Sequence, residues 1–434
     1  MTWFHSATTR AHACPAIALT LADAPCISRT VNTSAPSTGV RKPPWLGVAL
    51  VSKGTVARPV RMVCAMTNQT EAVDDRPDEV ERVIGCLLGG AVGDALGAGV
   101  EFDSWQAITR RFGPQGVTDF VPAYGHVGAI TDDTQMTMFT TEGLIRGHVR
   151  RWDRGIGYPP TVVRHAYLRW LWTQGDGGPL MDAFGLSTPD GWLAALPALQ
   201  SRRAPGNTCI GALSMGGDGS VAAPINQSKG CGGVMRAAPA GFEAFDVEEQ
   251  FLLGCEIAAI THGHPSGYLP AGFLATVVGA LLDRVEIGDA LDVATEQLCS
   301  WDGHEETLAM VTAGRQLGHR GLPSPNDLDR FGAGWTGHEA LGIAVACVVS
   351  EPAFDAGVLA AVNHSGDSDS TGSITGNILG TAYGTASIPA HWRERVELHD
   401  QIDQLARDAV FELRQRQRTG TQITDPWRER YPGW

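Results

Sequence analysis

The residues best equipped for chemistry lie in two short acidic turns. In Asn363-His364-Ser365-Gly366-Asp367-Ser368-Asp369-Ser370-Thr371 two carboxylates sit one residue apart among glycine and hydroxyls, just ahead of an apolar helical pattern (Ile374, Ile378, Leu379). Short oxygen ligands on a turn that enters a helix suit a hard cation such as Mg²⁺ or Mn²⁺. Asp and Ser also cap helix N-termini, so taken alone the turn reads first as a polar cap. A second turn, Ile130-Thr131-Asp132-Asp133-Thr134, also precedes a helical pattern (Met136, Phe139, Leu144). Adjacent Asp residues repel unless water, a helix N-terminus or a cation compensates them. Four carboxylates at two helix starts, far apart in sequence, could meet around a pair of metals, whose ions lie ~3.5–4 Å apart in two-metal sites.

The elements that must position these turns are helices. Val80, Val83, Ile84, Leu87 and Leu88 recur at helical spacing behind Pro77 and run into a glycine-rich segment ending at Glu101. Each glycine costs a helix interior ~1 kcal/mol relative to Ala, so such density needs close packing or a ligand to offset it. Asp94 inside that segment is either a helix-breaking polar contact or part of a site. Residues 106–124 read as irregular loop, and a helix starting at Asp132 is expected to reach about Arg150. Further helical patterns cover 162–172, 191–199, 247–260, 271–282, 307–317, 339–349 and 393–414. Period-two alternation is nearly absent, which makes the chain all-α. Gly372, Gly376, Gly380 and Gly384 mark one helical face that would let its helix nestle against a neighbour, with the Gly93 and Gly97 face as the candidate.

Composition bounds the partners. The chain has 434 residues, 43% of them hydrophobic, enough for a substantial core, and a formal net charge of −14. That charge argues against a general binder of nucleic-acid backbone, which relies on clustered Lys and Arg. Nine cysteines at irregular spacing, without Cys-x-x-Cys, fit reduced thiols in a cytoplasm. The longest apolar run, Ala271 to Leu282, falls short of a membrane span and reads as a buried helix. Up to Met66 the only acid is Asp23, against seven Lys and Arg. Such a leader is either a transit peptide or, the reading favoured here, an overlong translation start with the protein beginning at Met62 or Met66. Residues 1–75 are expected to be disordered, 76–415 to form the main domain, and 416–434 to be a polar tail whose aromatics dock on the surface.

Three segments in order carry a family resemblance: Gly85 to Glu101 (GCLLGGAVGDALGAGVE), Thr131-Asp132-Asp133-Thr134-Gln135-Met136, and Gly366-Asp367-Ser368-Asp369-Ser370-Thr371. Together they resemble the ADP-ribosylglycohydrolase family, over about Val80 to Arg414. The resemblance implies a compact single-domain orthogonal bundle of helices holding two Mg²⁺ or Mn²⁺ ions. It implies hydrolysis of the bond from C1 of the distal ribose of ADP-ribose to a protein side chain, arginine first, or to a related acceptor. The implied metal ligands are Thr131, Asp132, Asp133, Asp367, Asp369 and Ser370, with Ser370 standing where relatives often have Thr. Glu101 matches a glutamate that in some members lies over the metals and either gates the site or acts as acid/base; otherwise it is a solvated helix-end carboxylate.

Gln227 to Arg236 resembles the loop that wraps the diphosphate and ribose, which brings in Ser228, Lys229, Gly230, Cys231 and Gly232. A Gly-rich turn leading to a helix does present backbone N–H groups to an anion. Relatives commonly carry Asn at the Cys231 position and some an aromatic at Lys229, which bears on stacking and substrate preference. His262 matches a ligand-facing histidine, against a structural role or pairing with His264 on a transition metal. Gly332-Ala333-Gly334-Trp335 resembles the turn whose following residue packs on the adenosine; Trp335 would suit a base face and is otherwise a core residue. Glu101 is the first candidate for proton transfer, with Asp132 or Asp369 as base. The competing functions are a two-metal phosphoesterase that cleaves the diphosphate, and a catalytically dead ADP-ribose-binding relative; filled carboxylate positions favour the enzyme. The expected partner is an ADP-ribosylated protein or other ADP-ribosylated acceptor, nucleic acid entering only as a modified substrate, and the chain is expected to act as a cytoplasmic monomer away from membranes.

Overall fold

The computed structural model describes residues 76–433 apart from 217, 351 and 352. The leader expected at residues 1–75 lies outside the described residues. The longer helices, in chain order, are α1 (Glu79–Gly97), α2 (Asp132–Arg154), α3 (Pro159–Thr173), α4 (Val247–Ala259), α5 (Pro265–Leu282), α6 (Ile287–Leu298), α7 (Glu305–Gly318), α8 (Gly337–Ser350), α9 (Ser368–Tyr383) and α10 (His399–Ala409). Among the described residues there is no strand, only isolated bridges joining Ala123 to His126 and Gly230 to Thr336. The described chain is a single compact all-α domain.

Its axis is the pair α1 and α9. Asp78 caps α1 by accepting from the Glu81 N–H at 2.9 Å, and α1 is buried from Arg82 onward. Glycines let the two backbones touch: a Cβ added at Gly93 would lie 2.0 Å from Gly372 O, one at Gly376 2.0 Å from Gly89 O, and one at Gly97 2.4 Å from Asp369 N. Carbon atoms in contact prefer ~3.5–4.0 Å, so no side chain fits at this seam. The four-residue glycine period on α9 and its pairing with the Gly93 and Gly97 face are therefore both present. Arg82 locks the far end, its Nη1 donating to the carbonyls of Leu281, Thr381 and Ala382.

Several boundaries differ from the sequence reading. The stretch expected as loop contains a helix, Trp105–Phe112, capped by Ser104. Only Ile108 of it is buried, so its apolar signal is weak. Residues 191–199, expected helical, make only short 3₁₀ turns at Leu193–Ala195 and Pro197–Leu199, because Pro197 cannot donate to a continuing helix. The single helix expected over 393–414 is broken at Leu398, whose φ is +61, and α10 then widens into a π-helical turn at Val410–Gln415. Helix α5 begins six residues before the expected start, carries Pro270 in its first turns, and is apolar and long enough to cross a membrane by length and composition. Nearly all of it is buried, packed as a core helix. The tail is not merely polar: Tyr431 is fully buried and its hydroxyl donates to Asp408 at 2.6 Å.

Candidate active site

Each acidic turn is held by hydrogen bonds from distant segments. Thr131 caps α2, its hydroxyl accepting from the Asp133 N–H. Beneath it the buried carboxylate of Asp94, from α1, accepts from the N–H groups of Thr131 and Thr134 at 3.0–3.1 Å and from the Thr134 hydroxyl. Asp94 is thus the polar contact that fixes the first turn, and the glycines around it let α1 come close enough to do so. The second turn is tied twice: Asp367 N–H donates to Ala333 O at 2.8 Å, and Gly366 N–H to Asp103 O at 3.1 Å. Phe102 N–H returns a bond to Gly366 O, and both Gly366 (φ +116) and Phe102 (φ +71) sit in left-handed backbone. These ties deliver Glu101 to the α9 terminus, where Glu101, Asp367 and Asp369 each present an oxygen within 4.8 Å of the others.

The two turns open into one cavity of about 470 Å³. Its lining includes Glu101, Asp132, Asp133, Asp367, Asp369 and Ser370, with Gly230, Cys231, Gly232, His262 and Trp335. Thr131 is buried behind Asp133 and is not part of that lining. Trp335 is half-exposed at the mouth and stacks on Phe102, ring centroids 5.2 Å apart. His262 is buried, bonded through Nδ1 to the Thr261 hydroxyl at 2.8 Å, and burial pushes its pKa down to about 3, so the ring facing the cavity is neutral.

Ser228 and Lys229 do not line the cavity. Lys229 turns outward, where its Nζ meets both oxygens of Glu306 at 2.7–2.8 Å. Ser228 instead shapes the loop, its hydroxyl accepting from Gly230 N–H and pairing with Thr208. A larger cavity of about 610 Å³, lined by Ile156, Tyr158, Val162, His165 and Phe184, carries none of the carboxylates.

So many buried acids disturb one another. Burial, then the Asp369 charge, raises the pKa values of Asp132, Asp133 and Asp367 well above the usual carboxylate range, and burial raises that of Asp369. Asp94 is pushed up to about 7 by burial and by Asp369. Glu101 is pushed up to about 11 by burial and by the charges of Asp369, Asp367 and Asp132. Asp133 Oδ1 and Glu101 Oε2 are buried without a hydrogen-bond partner. A site of acids that repel, with oxygens left unsatisfied, fits a multivalent cation far better than a set of helix caps.

The sequence profile of ADP-ribosylglycohydrolases matches residues 75–420. The chain belongs to the ADP-ribosylglycohydrolase family. Its reaction class is therefore hydrolysis of ADP-ribose linkages, on ADP-ribosylated substrates. One relative, the ADP-ribosyl-[dinitrogen reductase] glycohydrolase of Rhodospirillum rubrum, is 26% identical over 335 residues, covering 74% of this chain and 92% of its own length. An uncharacterized protein of Archaeoglobus fulgidus is also 26% identical, covering 77% of this chain and 98% of its own. A solved structure, an ADP-ribosylglycohydrolase-related protein complex, superposes with a TM-score of 0.54 at 23% identity, over 77% of this chain and 99% of that one, and shows the same fold.

In this family member the lining also holds residues that sequence reasoning missed. Gly206, Asn207, Thr208 and Cys209 border the cavity, and Gly206 N–H donates to Asp132 Oδ2 at 3.2 Å. The local signal for this border is Pro205-Gly206-Asn207, a turn ahead of a short helix at Asn207–Ser214, and nothing in it points to an acid 74 positions away. Phe102 and Met235 line the cavity as well.

Proposed function

We propose that this protein is a binuclear-metal hydrolase that cleaves the C1 glycosidic bond of ADP-ribose attached to protein arginine, releasing ADP-ribose. The observation that carries the reading is the single cavity shared by both acidic turns and Glu101, with carboxylate oxygens left unpartnered inside it. Asp132, Asp133, Asp367 and Asp369, with oxygens of Thr131 and Ser370, would hold two Mg²⁺ or Mn²⁺ ions. Bound there, the cations supply positive charge and Lewis acidity beside the ribose hydroxyls and the attacking water.

The remaining work falls to the chain. Glu101, whose oxygen lies with those of Asp367 and Asp369, is the group placed to hold a proton and give it to the leaving nitrogen as the C1–N bond breaks. Asp132 or Asp369 takes the proton of the water whose oxygen bonds to C1. The Gly230-Cys231-Gly232 turn in the lining meets the diphosphate, neutral His262 lies against the ribose, and Trp335 packs on the adenine. Arginine as acceptor is supported by the aromatic rim at the mouth: Phe102 is 67% exposed, and Tyr124 is close enough to the cluster to feel Glu101 and Asp369. An aromatic and acidic rim favours a guanidinium. The reading places the enzyme in the cytoplasm as a monomer. Buried Cys86, Cys209, Cys255 and Cys347, none in a disulfide, support the compartment.

The test is product analysis with ADP-ribosylated arginine. Free ADP-ribose appearing only with an added divalent cation such as Mg²⁺ or Mn²⁺ is expected. Release of AMP and ribose phosphate would replace the reading with a phosphoesterase, and full activity in excess chelator would contradict it.

A further inference from the structure

The cavity contains a thiol beside the acids that an all-oxygen description does not use. The Cys231 thiol donates to Asp367 Oδ2 at 2.7 Å, and both residues line the cavity with Asp133, whose buried Oδ1 has no partner. The juxtaposition is fixed by backbone. Cys231 N–H donates to Trp335 O at 3.1 Å, Gly230 bridges to Thr336, and Asp367 N–H donates to Ala333 O at 2.8 Å. The cysteine and the aspartate are thus pinned two positions apart on one short segment, at Trp335 and Ala333.

We propose that Cys231 is a thiolate ligand to the ion held by Asp367, so that this centre takes a softer divalent cation in preference to Mg²⁺. The inference rests on the paired-ion reading above. With metal–oxygen bonds of ~2.0–2.2 Å and metal–sulfur bonds of ~2.3 Å, one ion could replace the thiol proton between sulfur and oxygen once the two atoms part by somewhat under ~1 Å, a side-chain rotation. Mg²⁺ demands oxygen ligands and dehydrates reluctantly, whereas a thiolate draws Zn²⁺, Co²⁺ or Cd²⁺, with Mn²⁺ the least favoured of the transition series. On ligation the S–H bond breaks, a sulfur–metal bond forms, and the proton leaves to solvent; no electron is transferred.

The test titrates the full-length, metal-free protein with Co²⁺. The visible d–d bands report occupancy whatever the ligands, and a near-ultraviolet sulfur-to-cobalt charge-transfer band reports the thiolate. The wild type should show both. Cys231→Ser should keep the d–d bands and lose the charge-transfer band, while Cys209→Ser, altering the other thiol in the lining, should keep both. Cd²⁺ affinity of Cys231→Ser should fall about 10–100-fold with Mg²⁺ affinity unchanged. Visible bands without a charge-transfer band in the wild type, or a band that survives in Cys231→Ser, would overturn thiolate ligation and leave the paired-ion reading intact. No Co²⁺ uptake at all would remove both. Should Cys231→Ser fail to fold by circular dichroism, cadmium NMR of the wild type decides, since its shift separates sulfur from all-oxygen ligation.

Discussion

Replacing Gly93 by Ala tests the link between the helix seam and the site. An added Cβ would stand 2.0 Å from Gly372 O, with Gly372 C at 2.3 Å and Ser373 N at 2.9 Å, all backbone atoms that no rotamer change can move. Relief requires α1 and α9 to part by more than ~1 Å, given contact distances of ~3.5 Å or more. Overpacking of this kind costs ~1–3 kcal/mol or more, and the ~1 kcal/mol that Ala returns as a better helix former does not cover it. The larger effect is on the site, because α1 carries Asp94 and leads to Glu101 while α9 begins at Asp369's turn. A shift of ~1 Å at reacting groups costs on the order of 100-fold in rate. The assay pairs urea unfolding with ADP-ribose release and Mn²⁺ titration, and Gly288→Ala serves as control. At Gly288 an added Cβ meets nothing within 4 Å, so that variant should gain a few tenths to ~1 kcal/mol and keep full activity. A Gly93→Ala protein as stable and active as the wild type would refute the reasoning.

Other perturbations follow from the crowding of acids. The folded chain holds protons on Asp94 and Glu101 to about 7 and about 11, whereas unfolded Asp and Glu release theirs near ~4. The native state therefore binds more protons, and metal-free stability should fall as pH rises from about 5 to about 8; thermal unfolding with Mn²⁺ should show a larger metal-induced rise at the higher pH. Asp369→Asn removes the charge that acts on every other acid in the cluster, so it should abolish turnover yet raise the melting temperature of the metal-free protein near neutral pH, with the far-UV circular dichroism retained. Lys229→Ala should leave kcat/KM unchanged and cost less than ~1 kcal/mol, because it removes only a partly exposed ion pair with Glu306.

What the sequence disclosed was local. Asp132 with Asp133, and Asp367 with Asp369, are legible because acids, glycines and hydroxyls at helix starts stand out against apolar helical patterns, and the α9 glycine period is legible because four-residue spacing maps directly to one face. What it withheld depended on distant partners. Asp94 could not be assigned until Thr131 and Thr134 were seen to donate to it. The outward turn of Lys229 is decided by Glu306, 77 residues away. Leu398 breaks the last long helix at a φ of +61 that nothing in its own type announces. The 206–209 border of the cavity has only a Pro-Gly-Asn turn to mark it, and its bond to Asp132 spans 74 positions.

The central claim is that the two acidic turns make one centre for paired ions, and Mn²⁺ binding followed by electron paramagnetic resonance tests it most directly. The account predicts two Mn²⁺ per chain, spin-coupled as expected for ions ~3.5–4 Å apart, with the coupling lost in both Asp133→Asn and Asp367→Asn. A single ion, or two uncoupled ions that each respond to only one of the two substitutions, would contradict it.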